Sequence, residues 1–338
     1  MLSCSTHDAL QRLRRQHGEA LALAQLVAAG IDRLPLPGSG GTIERWRILS
    51  EVAAHDLSLA KLFEGHTDAL AIRHELGQAD AETGSRWGTW CAEPPDARVT
   101  MEALVEEGAS AAPVRLHGTK AWCSGAQGVT HAVLSCWDDA GEPCLAEVTL
   151  DQAAVTVTDQ GWHAVGMAAS GSVDVRFDGA VARRIGRPGD YVRRPGFWQG
   201  GAGIAACWFG GALGIARMAR RFCGMAPDGH RLAHLGAIDT ALAAGAAVLR
   251  ESAAWIDAHP RDDAHQVALR ARLVVEEAAH ALIAHACRAT GAGPLCRDAR
   301  FARAVADLPV YMRQSHAERD LASLGKTVLD TETTPWKL

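Results

Sequence analysis

A change of hydrophobic period near Arg86, reversed near Ile185, constrains this 338-residue chain more than any other feature. From His7 to about Leu76 apolar residues recur at helical spacing: Leu10, Leu13, residues 21–27, then a second stretch over 43–76. Pro35-Leu36-Pro37-Gly38-Ser39-Gly40-Gly41 divides those helices. Short β-like runs follow. Residues 132–137 and 144–150 flank Asp138-Asp139-Ala140-Gly141, which reads as a hairpin, and Val173, Val175 and Phe177 alternate with Asp174 and Arg176 as on a half-buried strand. From 200 to 324 the pattern is helical again and Ala-rich, with breaks at Pro227-Asp228-Gly229, His259-Pro260 and Gly291-Ala292-Gly293-Pro294. This order predicts an α+β chain in three parts: a helical domain over 1–84, a central β domain over 85–190 and a helical bundle over 191–338.

Composition excludes several classes of function. With 48% hydrophobic and 22% charged residues, the chain reads as an ordinary globular protein. A formal net charge of -5 leaves no basic surplus to neutralise phosphates, so nucleic acid is not expected as a partner. The N-terminus lacks a basic start followed by an apolar core, and the apolar run over 21–29 is far short of a membrane span. The expectation is a cytoplasmic protein without membrane spans. Nine cysteines form no paired CxxC, which points to reduced, structural thiols. His280 and His285 lie five apart, so they diverge around a helix and make a poor zinc pair.

Several motifs recur in a recognisable order. Leu116-His117-Gly118-Thr119-Lys120-Ala121-Trp122-Cys123-Ser124-Gly125-Ala126 opens the β region, after Trp90-Cys91-Ala92-Glu93-Pro94. Gly161-Trp162-His163-Ala164-Val165-Gly166 and the strand over 173–178 follow, then Phe197-Trp198-Gln199-Gly200-Gly201, Gly210-Gly211-Ala212-Leu213-Gly214 and Gly291-Ala292-Gly293. Arg303 and Asp307 complete the series. This succession resembles the acyl-CoA dehydrogenase superfamily across most of the chain. The resemblance implies that superfamily's fold, with an N-terminal helical domain, a central β domain and a C-terminal helical bundle. It also implies a homodimer or homotetramer and bound FAD, which carries the redox chemistry while the protein orients it. By resemblance, Trp122 packs on the isoalloxazine, Ser124 offers its hydroxyl near N5, and Ala92 and Glu93 line the pyrimidine edge. Gly291 and Gly293 then approach the pyrophosphate of a neighbouring subunit's FAD, with Arg288 as its cation. Blander readings stand beside these: a core aromatic for Trp122, a turn hydroxyl for Ser124 and a helix cap for Gly291.

The departures from the pattern bear on the reaction. Ala92 replaces a hydroxyl residue, Pro95-Asp96-Ala97-Arg98 replaces a Gly-Ser-Asp, and the loop that supplies an arginine to FAD is shortened over 225–229. Counting from Asp307, the catalytic glutamate's position falls on Ser315, beside His316. Serine cannot take an α-proton unaided, whereas histidine suits general-base work. A histidine here resembles the flavin-dependent monooxygenase branch; a capping or interface role is the alternative for it. Glu318 and, on a different helix, Glu251 are the other base candidates. Three readings follow: an FAD-dependent dehydrogenase acting on a CH–CH bond of an acyl thioester, a flavin-dependent monooxygenase, or a catalytically silent homologue. The partner expected is a small molecule, acyl-CoA or a carrier-bound acyl group.

Overall fold

The computed structural model describes residues 3–104, 112–331 and 336. By contact they form two compact units, one from the described residues within 1–34 and 58–197, the other from those within 35–57 and 198–338.

The first unit holds helices α1 (Ser3–His17), α2 (Leu23–Ala28), α4 (Leu57–Glu75) and α5 (Asp190–Arg193). It also holds strands β1 (Trp87–Trp90), β2 (Val99–Ala103), β3 (Pro113–Cys123), β4 (His131–Trp137), β5 (Pro143–Thr149), β6 (Val155–Val157) and β7 (Val173–Ile185). The strands pair in the order β1-β4-β2-β3-β7-β5, and a further β4–β5 pairing closes the path on itself. The expected hairpin is present, with Cys136 opposite Cys144 and Trp137 opposite Pro143. Along β7 buried and exposed residues alternate as the sequence pattern requires. Helix α4 covers the sheet through Ala69 and Ile72, which meet Trp87, Val133, Leu145 and Ile185. Under that helix Arg73 donates to Glu147 at 2.7 Å and lies 4.3 Å over the Trp87 ring. Glu147 also takes Arg183, so the buried carboxylate has two cations.

The second unit holds α3 (Thr42–His55), most of α6 (Gly196–Met225), α7 (Gly229–Ala258), α8 (His265–Thr290), α9 (Ala292–Arg297), α10 (Ala299–Tyr311) and α11 (Glu318–Asp330). The breaks fall where the turn residues predict. Asp228 caps α7 by accepting from the His230 and Arg231 amides, and Asp263 accepts from the His265 amide at the start of α8. Thr42, at the head of α3, is fully buried and donates to Asp257 of α7 at 2.6 Å.

Glycine decides how α3 meets α6. A Cβ at Gly210 would stand 2.2 Å from the Ser50 carbonyl oxygen, and one at Gly214 would stand 2.8 Å from that of Ala54. The glycine-dotted helix is therefore a backbone contact surface. Gly224, on the same helix, would meet nothing within 4 Å. We expect Gly210→Ala to destabilise the protein by about 3 kcal/mol, as overpacking does, while Gly224→Ala is neutral or slightly stabilising. Urea denaturation of both variants checks this; equal midpoints would refute the close approach.

By length and composition alone, α6 and α7 are both long and apolar enough to cross a membrane, a test that core helices also pass. The relevant window of α6 is 72% buried, as in a core helix, but that of α7 is only 17% buried. The apolar character of α7 comes largely from alanine, whereas α6 also carries Ile204, Trp208, Phe209, Leu213, Ile215 and Met218.

Candidate functional site

Of the residues the resemblance singles out, Trp122, Ser124, Ala92 and Glu93 lie in the first unit and Ser315, His316, Glu251, Arg288, Gly291 and Gly293 in the second.

In the first unit the candidate residues gather around the end of β3. The β3–β7 register breaks between Lys120 and Cys123, and Trp122 sits in that break with φ 57°. A positive φ is rare for a bulky residue and persists only where the surroundings impose it. Half of the side chain is exposed (50%), so Trp122 is not the core aromatic of the blander reading. Ser124 follows in a turn. Its amide donates to the Trp122 carbonyl at 2.9 Å, and its own carbonyl accepts from Trp90 Nε1 at 3.1 Å. Its hydroxyl lies 2.8 Å from that of Ser172, which lies 2.8 Å from that of Ser170. Ser170 and Ser172 are both buried, so a line of three hydroxyls runs inward from Ser124. Helix α4 closes on the same turn, because a Cβ at Gly125 would fall 2.7 Å from Leu62 Cγ. Thr89 of β1 donates to the α4 carbonyl of Gly65 at 2.7 Å.

Beyond β1 the chain leaves the strand through Ala92 and Glu93. The Glu93 side chain is committed inward: Lys120 Nζ donates to it at 2.5 Å, Trp137 Nε1 at 3.0 Å, and the Ser135 hydroxyl donates as well. Lys120 is fully buried, and its ammonium also donates to the Ser135 carbonyl and hydroxyl at 2.9 and 2.8 Å. Burial pushes the Glu93 carboxyl up, but the bonds from Lys120, Ser135 and Trp137 outweigh it and hold the group below the usual range. Lys120 was absent from the sequence candidates. Its signal was legible: Val114, Leu116 and Lys120 share one parity on β3, the buried one.

A second buried polar group lies along α4. Glu64 is 5% exposed and takes the Lys61 ammonium at 2.8 Å, with Asp68 bonded to it one turn on. Burial pushes its carboxyl up to about 7 against the opposing pull of Lys61. Cys91 and Tyr191 face each other nearby, and burial raises both.

In the second unit Ser315 is buried and its hydroxyl accepts the Ala317 amide at 3.1 Å. His316 is exposed, and Asp320 binds it twice over: Oδ2 accepts its amide at 3.1 Å and Oδ1 stands 3.5 Å from Nδ1. Glu251, Arg288, Gly291 and Gly293 are all exposed. Gly291 closes α8 with φ 68°, the helix-cap role that its sequence also allowed. His285, rather than pairing with His280, lies 3.0 Å from His234 between their Nδ1 atoms, while His280 faces Glu276. Among the described residues no group of three His, Cys, Asp or Glu side chains could hold a metal ion.

The half-exposed Trp122 ring and the Ser124 hydroxyl two positions on are an aromatic face and a hydroxyl of the kinds a planar redox ring can use.

No protein-family model and no curated protein matches the chain. Solved structures match it over nearly its whole length. KijD3 in complex with FMN and dTDP-3-amino-2,3,6-trideoxy-4-keto-3-methyl-D-glucose is 21% identical, with a TM-score of 0.79 over 99% of this chain and 94% of that one. TdsC from Paenibacillus sp. A11-2, a dibenzothiophene monooxygenase solved with FMN and indole, is 18% identical, with a TM-score of 0.82 over 98% of each chain. Nitrososynthase from Micromonospora carbonacea var. africana is 18% identical, with a TM-score of 0.79 over 97% of this chain and 96% of that one. At such identities the likeness establishes the fold.

Proposed function

We propose that this chain, which has the acyl-CoA dehydrogenase-like fold, is a flavin-dependent monooxygenase acting on a small-molecule substrate. The whole-length likeness to TdsC and nitrososynthase carries this reading over thioester dehydrogenation. The base region supports it. Dehydrogenation needs a carboxylate where the chain has Ser315, whose hydroxyl is taken up by the Ala317 amide.

FMN is the cofactor in this reading, in place of the FAD implied by the sequence resemblance. KijD3 and TdsC were solved with FMN, and FMN lacks the adenylate half that Arg288, Gly291 and Gly293 would serve. Those three positions are exposed in the single chain. When bound, reduced flavin supplies two of the four electrons that reduce dioxygen, the substrate supplying the other two. One oxygen atom goes to the substrate and the other leaves as water. Trp122 provides the stacking face, Ser124 a hydroxyl donor backed by Ser172 and Ser170, and His316 the acid–base group. A soft nucleophilic heteroatom or an electron-rich ring is the substrate class this chemistry favours, and the proteins solved with indole and an aminosugar are consistent with it. The reading keeps the three-part helical, β and helical arrangement and the homo-oligomer, for which the exposed apolar α7 is the contact face.

The test supplies chemically reduced FMN and ¹⁸O-labelled dioxygen with a panel of sulfides, amines and indole. A product carrying one labelled oxygen is expected, and acyl-CoA should leave bound flavin oxidised. Bleaching of the flavin by an acyl-CoA would restore the dehydrogenase reading. Trp122→Ala should weaken FMN binding about tenfold, the loss of one aromatic stacking contact. Fluorescence titration measures it, and unchanged affinity would remove Trp122 from the site.

A further inference from the structure

His316 is exposed, and an exposed histidine on a flexible turn would sample many orientations. The structure instead holds its backbone and sets a carboxylate oxygen 3.5 Å from its ring. Ala317 has φ 47° and ψ -114°, a conformation in which glycine alone is at ease. The turn is pinned ahead of it by Arg272, which donates to the Gln314 carbonyl at 2.7 Å and to the Gly201 carbonyl at 3.1 Å. Behind it the Arg319 and Leu321 amides donate to the His316 and Ala317 carbonyls. Asp320 then engages His316 with one carboxylate oxygen on the amide and the other towards ring Nδ1.

We infer that Asp320 and the strained Ala317 backbone are positioning elements that hold the His316 imidazole with Nδ1 towards the carboxylate, leaving Nε2 as the ring atom that transfers a proton. This rests on the oxygenase reading above, in which His316 is the acid–base group. A carboxylate beside Nδ1 selects the tautomer with hydrogen on Nδ1, so the neutral ring meets its substrate with an open lone pair on Nε2. A proton accepted there from the oxygenated substrate creates an imidazolium whose charge the Asp320 carboxylate offsets. The same proton leaves from Nε2 to the oxygen that departs as water. Asp320 thus acts through His316 rather than on the substrate.

Nitrogen-15 NMR of the histidines in the full chain tests the pairing without a cofactor. His316→Gln identifies the relevant signals by their loss. The parent protein should show the Nδ1–H tautomer, Asp320→Asn should shift that signal towards the Nε2–H form, and Asp320→Glu should restore it. Nitrogen shifts that ignore Asp320→Asn would overturn the inference. In the labelled-oxygen assay Asp320→Asn should lose at least about tenfold in turnover with little change in KM, as misplacement of an acid–base group does. Ala317→Gly removes a single methyl group and separates position from folding. It should raise Tm by relieving strain and lower turnover by freeing the turn, and turnover that does not fall would count against the clamp. Full oxygenation by His316→Ala would sink the catalytic reading by itself, whereas the nitrogen spectra would still decide whether Asp320 holds the ring.

Discussion

Glu93→Gln is expected to destabilise the protein by about 3 kcal/mol at pH 7, because it strands a buried ammonium. Lys120 has no exposed surface, and Glu93 is the carboxylate that its ammonium meets, at 2.5 Å. The Ser135 carbonyl and hydroxyl would remain as acceptors, but neither carries charge. The converse change costs less. Lys120→Met puts an apolar chain of similar length into an apolar setting, and Glu93, part-exposed, keeps Trp137 and Ser135 as donors. Urea denaturation at pH 7 should therefore rank parent, Lys120→Met and Glu93→Gln in falling order. The reverse order of the two variants would mean that the ammonium finds another partner. The pair also has a sign in pH. The Glu93 carboxyl is held below its ordinary value of 4.5, so its stabilisation is present above that value and is lost as pH falls through the lowered one.

Glu64 has the opposite sign. Burial raises its carboxyl from 4.5 to about 7, with Lys61 pulling it down and Asp68 pushing it further up. The folded state therefore holds a proton that the unfolded chain has already released, and stability falls as pH rises from the lower value to the higher. A rise of this size corresponds to roughly 3 kcal/mol, fully expressed above neutral pH. Glu64→Gln mimics the protonated form, and Lys61, 17% exposed, can turn to water. The variant should match the parent near pH 5 and exceed it at pH 8 by up to about 3 kcal/mol. Thermal or urea denaturation at the two pH values checks this, and a variant less stable than the parent at pH 8 would show that the Lys61 bond outweighs the burial. The parent's acceptance of that cost makes Glu64, on the helix that packs against the Ser124–Gly125 turn, a position worth assaying for function.

Much of the architecture was legible because it follows from local period. Val173, Val175 and Phe177 alternate, and β7 forms; Asp138 to Gly141 carries turn chemistry, and the β4–β5 hairpin forms there. Gly210 and Gly214 were legible as a glycine motif, but their close approach to α3 was not. In the candidate site, Trp122 was found through its motif, but its exposure and left-handed backbone were not, since both come from a register break set by β7. Glu93 was read as a flavin-edge residue by its backbone, while its side chain turned out to neutralise a lysine 27 positions away.

The sequence by itself determined which segments are helices and strands and where turns divide them. Those properties depend on residues within a few positions of one another. Tertiary structure alone decided the partners: Glu93 with Lys120, Thr42 with Asp257 across 215 positions, and Leu62 beside Gly125. The physical reason is that a buried polar group must find its counter-charge or hydrogen-bond partner in space, and folding of the whole chain decides which distant residue arrives there.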